Sequence, residues 1–213
     1  DNTYKTKYGN LLSSDKWFTL ISIGRTLASN NYAPAFIAGF LGHITFEGNI
    51  GALYGQLRNS LNMTIDEIKT NVANNKAFGC CQWKAGRAAK LLEFYDQYHS
   101  GNDAEYYSLE EATVAEQSML LFELIESYNN PIGGGIFNYT FVHTDWIRCC
   151  NGENVSEDSE RAAYLAGYRI LLGYGLSISI SSGKKPKDEE EADAIRRGNC
   201  AADVYKAMID PVT

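Results

Sequence analysis

A mainly α-helical fold is the class that this 213-residue sequence predicts, and three observations carry it. Apolar residues recur at helical rather than alternating spacing, helix-start residues stand at the heads of those segments, and no succession of strand and helix units appears. A parallel α/β sheet is thereby excluded. A small antiparallel element between Gly48 and Gly79, and a strand over Leu176 to Ile180, are the exceptions that the pattern allows.

Ser14 heads the first helix, which keeps Phe18, Ile21, Ile23 and Leu27 on its apolar side and ends at Asn30-Asn31. Pro34 suits the first turn of the second, where a missing N–H costs nothing, and Phe36, Ile37, Phe40, Leu41 and Ile44 mark an apolar face running to Glu47. From Gly48 to Gly79 the reading is looser: glycines at 48, 51 and 55 precede a short helix at Thr64, which has capping-box spacing to Glu67. Arg87 to Tyr98 is amphipathic. Ser108 and Glu111 cap a further helix to about Tyr128, with Val114, Leu120, Leu121 and Leu124 inside, before Pro131 and Gly133-Gly134-Gly135 break the chain. Another helix follows from about Ser159 to Leu172. The expected organisation is one domain over 1–182, a charged loop over 183–191, and a helix within 192–213 that docks on the same domain through Ile195, Val204 and Met208.

The length suits a single sizeable core. A net charge of -7, with Lys184-Lys185-Pro186-Lys187 as the one basic cluster, argues against nucleic acid as a partner. No run approaches the roughly 18 apolar residues of a membrane span. The chain opens at Asp1 without a basic and apolar leader, so its start is silent about export. The five cysteines, Cys80-Cys81, Cys149-Cys150 and Cys200, make no zinc pattern, contain no C-x-x-C, and stand beside three scattered histidines. They are read either as buried thiols packing as small apolar groups or as one bridge between the two vicinal pairs. No metal and no organic cofactor is expected.

Two segments carry chemistry. Ala38-Gly39-Phe40-Leu41-Gly42-His43-Ile44-Thr45-Phe46-Glu47-Gly48 ends an apolar helix in a carboxylate, and about thirty residues later comes Gly79-Cys80-Cys81-Gln82-Trp83. A carboxyl group at the end of an apolar helix is a candidate proton donor, since desolvation disfavours its charged form. The pair of segments resembles the phage-tail lysozyme family, whose members carry G-N-x-x-x-E-S followed by G-x-x-Q-W and an Arg, here Arg87. The likeness extends through Gln117, Leu120-Leu121 and Glu123-Leu124, and more loosely to Glu153 and Arg161. His43 stands where the family usually has Asn, and Gly48 where it usually has Ser.

This resemblance implies a lysozyme-like, two-lobed helical domain that cleaves peptidoglycan between N-acetylmuramic acid and N-acetylglucosamine. It is expected to work outside the producing cell, in a virion tail or a secreted wall-degrading machine with other components as partners. Carried across by position, Glu47 becomes the general acid, and Gln82 and Trp83 become cleft residues. Trp83 is either a sugar-stacking platform or a core tryptophan, and Gln82 bonds either an N-acetyl group or buried backbone. Tyr54 is a further sugar contact, Arg87 a clamp on a carboxylate, and His43 either an orienting partner of Glu47 or a satisfied helix histidine. Glycoside hydrolysis usually needs a second carboxylate, for which Asp145 and Glu153 are the candidates. Without one opposite Glu47, an inverting hydrolase or a lytic transglycosylase fits better than a retaining enzyme. A non-catalytic glycan-binding or structural module with the same fold is the alternative from another class, and a vicinal-thiol redox protein a weaker one.

Overall fold

A computed structural model describes residues 7–47, 52–74, 77–99, 107–129, 158–168 and 188–209. Among these the α-helices are α1 (Ser14–Ser29), α2 (Pro34–Phe46), α3 (Ala52–Arg58), α4 (Ile65–Asn74), α5 (Ala85–Tyr98), α6 (Leu109–Asn129), α7 (160–168) and α8 (Asp188–Ile209). The fold is mainly α, and among the described residues extended pairing is limited to one isolated bridge, Phe78 with Trp83. No helix there is long and apolar enough to cross a membrane. The chain divides into two compact units, one of Asp1–Leu11, Gly24–Phe46 and Glu123–Thr213, the other of Leu12–Ile23 and Glu47–Phe122.

The first unit is built around α2. Its sequence is apolar on every side, and every residue from Ala35 to Thr45 is buried, as expected of a helix with no polar face to turn to water. Small residues let its neighbours approach closely. A Cβ added to Gly42 would lie 2.5 Å from the Ala201 nitrogen of α8, and one on Gly39 would collide with Ala166 of α7. Gly167 stands in the same way against Ala201 and Arg197, and Gly198 against Tyr164. The three helices therefore meet backbone against backbone at these glycines, and Ala162, Ala163, Ala166, Cys200 and Ala201 are all buried. Near the end of α2, Phe46 meets the Tyr8 ring edge-on at 5.9 Å, and the Arg196 guanidinium lies 4.3 Å from the Phe46 ring centre.

The second unit holds α3, α4 and α5 with the first part of α6. Thr64 and Glu67 form the capping box that their spacing announces, with the Thr64 N–H donating to Glu67 at 2.7 Å and the Glu67 N–H donating to the Thr64 hydroxyl at 3.3 Å. Ser108 and Glu111 repeat it at the head of α6. Ala88, Leu91, Leu92 and Tyr95 of α5, and Ala112, Ala115 and Met119 of α6, supply the buried stripes at helical spacing.

Two elements differ from the sequence reading, and of the three residues expected to dock the last helix Val204 is buried while Ile195 and Met208 stand exposed. Ala52–Arg58, read as part of a glycine-punctuated stretch, is a helix: Leu53 and Leu57 stand one turn apart and are both buried, which outweighs the helix weakening of Gly55. The last helix begins at Asp188 inside the expected loop, because Asp188, Glu189, Glu190 and Glu191 fill its first turn, where the helix dipole favours negative charge. The expected strand over 176–180, the break over 131–135 and the loop over 183–187 lie outside the described residues. So does the end of the helix expected over 159–172, which is helical over 160–168.

Candidate active site

The Gly79-Cys80-Cys81-Gln82-Trp83 motif folds into a closed loop. Phe78 and Trp83 exchange backbone hydrogen bonds of 2.7 Å in both directions, so Gly79 to Gln82 must reverse the chain within four residues. Both ends of that reversal take left-handed backbone, φ +82° at Gly79 and φ +53° at Gln82. Glycine meets the first requirement without cost, and a side chain there would also strike Glu116. Gln82 has no such freedom. It is held instead by its own side chain, whose Nε2 donates to the Gly79 carbonyl at 2.8 Å. The Gln56 side chain of α3 takes the Gly79 N–H at 3.0 Å, which ties the loop to that helix.

Glu116 of α6 lies against this loop and is 2% exposed. One carboxylate oxygen accepts the Cys80 N–H at 2.5 Å, and the other accepts the Cys80 thiol at 3.0 Å. Burial pushes its pKa up to about 7, against the opposing pull of the Cys80 bonds and the Trp83 indole. The Cys80 thiol is held well above its ordinary range by its bond to Cys81, by burial and by the neighbouring carboxylate. The sulfurs of Cys80 and Cys81 are 3.6 Å apart. Together with one Glu116 oxygen they form a buried set of donors lying within 4.8 Å of one another, the group among the described residues that could hold a metal ion.

Glu116 is the buried carboxylate at this loop that sequence reasoning missed. A signal was present, since Thr113 and Leu120 place it three and four positions from residues of a buried stripe, and a carboxylate inside such a stripe needs a partner.

Glu47 follows α2 directly, half-buried in a bend, and belongs to the same compact unit as the Gly79–Trp83 loop, α3 and Glu116. One turn earlier His43 is buried and accepts from Arg197 of α8. The guanidinium Nη1 lies 3.2 Å from His43 Nδ1 and donates to the His43 carbonyl at 2.9 Å. Burial, and then the charge of Arg197, hold the His43 pKa well below its usual value, so the ring is neutral with its acceptor turned to the guanidinium. In its bonds to Arg197 the ring corresponds to the satisfied helix histidine. Arg197 supplies the partner, and its Nε also bonds Asp193 at 2.9 Å.

Trp83 has 0% exposure and is among the largest fully buried side chains, so its ring faces are covered by protein. Of its two readings, this placement matches the core tryptophan. Tyr54 and Arg87 are half-buried, on α3 and in the first turn of α5. Cys80 and Cys81 are buried thiols, as is Cys200 of the first unit. Asp145, Glu153, Cys149 and Cys150 lie outside the described residues. Comparison with family models, with curated proteins and with solved structures finds no match to this chain.

Proposed function

We propose that this chain is a peptidoglycan glycosidase that cleaves the bond between N-acetylmuramic acid and N-acetylglucosamine, with Glu47 as the general acid. The observation that carries the reading is the presence of Glu47 and the Gly79–Trp83 loop within one compact unit, as the two-segment resemblance requires. The Glu47 carboxyl protonates the leaving glycosidic oxygen as its bond to the anomeric carbon breaks, and a water molecule supplies the hydroxyl that replaces it there, its remaining proton restoring the carboxyl group. Gln82 supports the assignment through its left-handed backbone: strained non-glycine residues persist where the surrounding structure holds them, and they cluster at binding sites. Its Nε2 is committed to Gly79, so Oε1 is the atom that faces a sugar, accepting the N–H of an N-acetyl group. Tyr54 takes the stacking role against the C–H face of a pyranose, and Trp83 serves as the floor of the loop. The proposed place of action is outside the producing cell, on the wall glycan.

The test is wall clearing by purified protein, combined with mass spectrometry of the released fragments. The expected result is clearing by the wild type, its loss in Glu47→Gln with wall binding retained, and fragments ending in reducing muramic acid. A 1,6-anhydro end identifies a transglycosylase, whose nucleophile is the muramic 6-hydroxyl. Fragments ending in reducing glucosamine, or a wild type that binds walls without clearing them, overturn the proposal.

A further inference from the structure

The glycosidase reading leaves Cys80, Cys81 and Glu116 without a task, yet they are the most concentrated set of donor atoms among the described residues. Vicinal cysteines on a strand would point to opposite sides. Here the tight reversal between Gly79 and Gln82 turns both inward, to 0% and 6% exposure, with their sulfurs 3.6 Å apart. An ion about 2.3 Å from each sulfur would see them at an angle of about 100°, near the tetrahedral value. Glu116 Oε2 is 3.0 Å from the Cys80 sulfur. With an oxygen bond of about 2.1 Å, that spacing gives roughly 85°, so the carboxylate would withdraw by a few tenths of an ångström on loading. Its other oxygen is already fixed by the Cys80 N–H, the kind of outer bond that orients a ligating carboxylate.

We propose that Cys80, Cys81 and Glu116 form a binding site for one thiophilic d10 cation of the Zn2+ class, which on loading pins the Gly79–Trp83 loop to α6. Soft thiolates select such ions over Mg2+ or Ca2+, which prefer all-oxygen sites. The two thiol protons leave to solvent as the thiolates bind, so no oxidant or reductant takes part. Two thiolates and one carboxylate more than neutralise the dication, and the Cys80 N–H and the Trp83 indole face the negative charge that is left over. The site is independent of the glycosidase reading, since it needs neither Glu47 nor a sugar.

The test uses the reduced, metal-free full chain titrated with Zn2+ and with Cd2+. Native mass spectrometry is expected to show one Zn2+ per chain, with the mass of the displaced protons missing, and Cd2+ to raise a thiolate charge-transfer band that saturates at one equivalent. Replacing Cys149, Cys150 and Cys200 together by Ser should leave both signals, whereas Cys81→Ser should abolish the band and Glu116→Gln should weaken binding at least tenfold. Circular dichroism checks that each variant is folded. A cadmium-113 resonance showing two sulfur ligands in the folded triple variant supports the site. No uptake at one equivalent, a resonance with fewer than two sulfurs, or a band lost in the triple variant overturns it.

Discussion

Replacing Gly42 by Ala inserts one methyl group between α2 and α8, and its cost follows from three distances. The new Cβ would lie 2.5, 2.6 and 2.8 Å from the nitrogen, Cα and Cβ of Ala201, and two of those atoms are backbone that no rotamer change can move. Ordinary contact begins at 3.4 Å, so α8 must withdraw by roughly 1 Å, the difference between 3.4 and 2.5. The same withdrawal stretches the Arg197 bond to the His43 carbonyl from 2.9 Å to beyond hydrogen-bond range. Overpacking costs about 1–3 kcal/mol and a lost bond from a charged donor about 1.5–3, while better helix propensity returns about 1. The expected net loss is about 3 kcal/mol. With a urea slope of about 2 kcal/mol per molar, the midpoint followed by far-ultraviolet circular dichroism should fall by roughly 1.5 M. Gly55→Ala on α3 is the internal control: a Cβ there meets nothing within 4 Å, so the same substitution should raise stability by up to about 1 kcal/mol. A Gly42→Ala protein as stable as the wild type would refute the account of α2 and α8 as helices held at backbone contact.

Other perturbations read other parts of the molecule. His43 has a folded pKa below its unfolded one, so the unfolded chain binds the proton more readily. Its contribution is therefore complete above about pH 6.5 and is lost as pH falls, by up to about 1.4 kcal/mol per unit. His43→Gln should flatten that part of a urea-midpoint profile between pH 7 and 5, and an unchanged profile would rule out the neutral, Arg197-bound ring. Arg197→Met removes both bonds to His43 and should lower stability by about 3 kcal/mol in the same titration. Glu116→Ala strands the buried Cys80 N–H and should cost about 1–3 kcal/mol, while Glu116→Gln, which keeps an acceptor, should cost less; equal losses would contradict the role given to that bond. Gly79→Ala should be more damaging than either, because φ is +82° there and the added Cβ meets Glu116 and Leu91, a ranking that thermal melts can check.

How far the fold could be read from the sequence depends on whether a residue's neighbours along the chain decide its place. Thr64 with Glu67, and Ser108 with Glu111, are local devices of three-residue spacing, and both form as written. The stripes of α5 and α6 are equally local, whereas on α1 Ile23 and Leu27 are buried but Phe18 and Ile21, expected beside them, stand exposed, and α2 is buried on every side. Ala52–Arg58 was hidden because its evidence is one pair of leucines among glycines. The start of α8 was hidden because a run of four acids reads as a solvated loop unless the helix dipole is credited with holding it. The glycines of α2 were legible only as part of a family pattern. Their physical reason, contact with Ala166 and Ala201, lies more than a hundred residues away in the chain.

The same distinction separates the parts of the candidate site. Glu47 announced itself by standing where an apolar helix ends, and Gln82 and Trp83 by their motif. Sequence could not say that Trp83 turns inward, that Gln82 spends its amide nitrogen on Gly79, or that Cys80 finds a carboxylate 36 positions on. Those facts belong together, because a loop closed in four residues has few side chains that can face out. With Trp83 committed to the core and both cysteines turned toward Glu116, Gln82 is the half-buried side chain left at the reversal. Its φ of +53° is held by the bond from its own Nε2 to the Gly79 carbonyl. A Gln82→Gly variant separates the two roles of that residue. Glycine relieves the backbone strain, so stability should hold within about 1 kcal/mol while wall clearing falls because the side chain is gone. Clearing that survives in a folded Gln82→Gly protein would leave Gln82 as a turn residue alone.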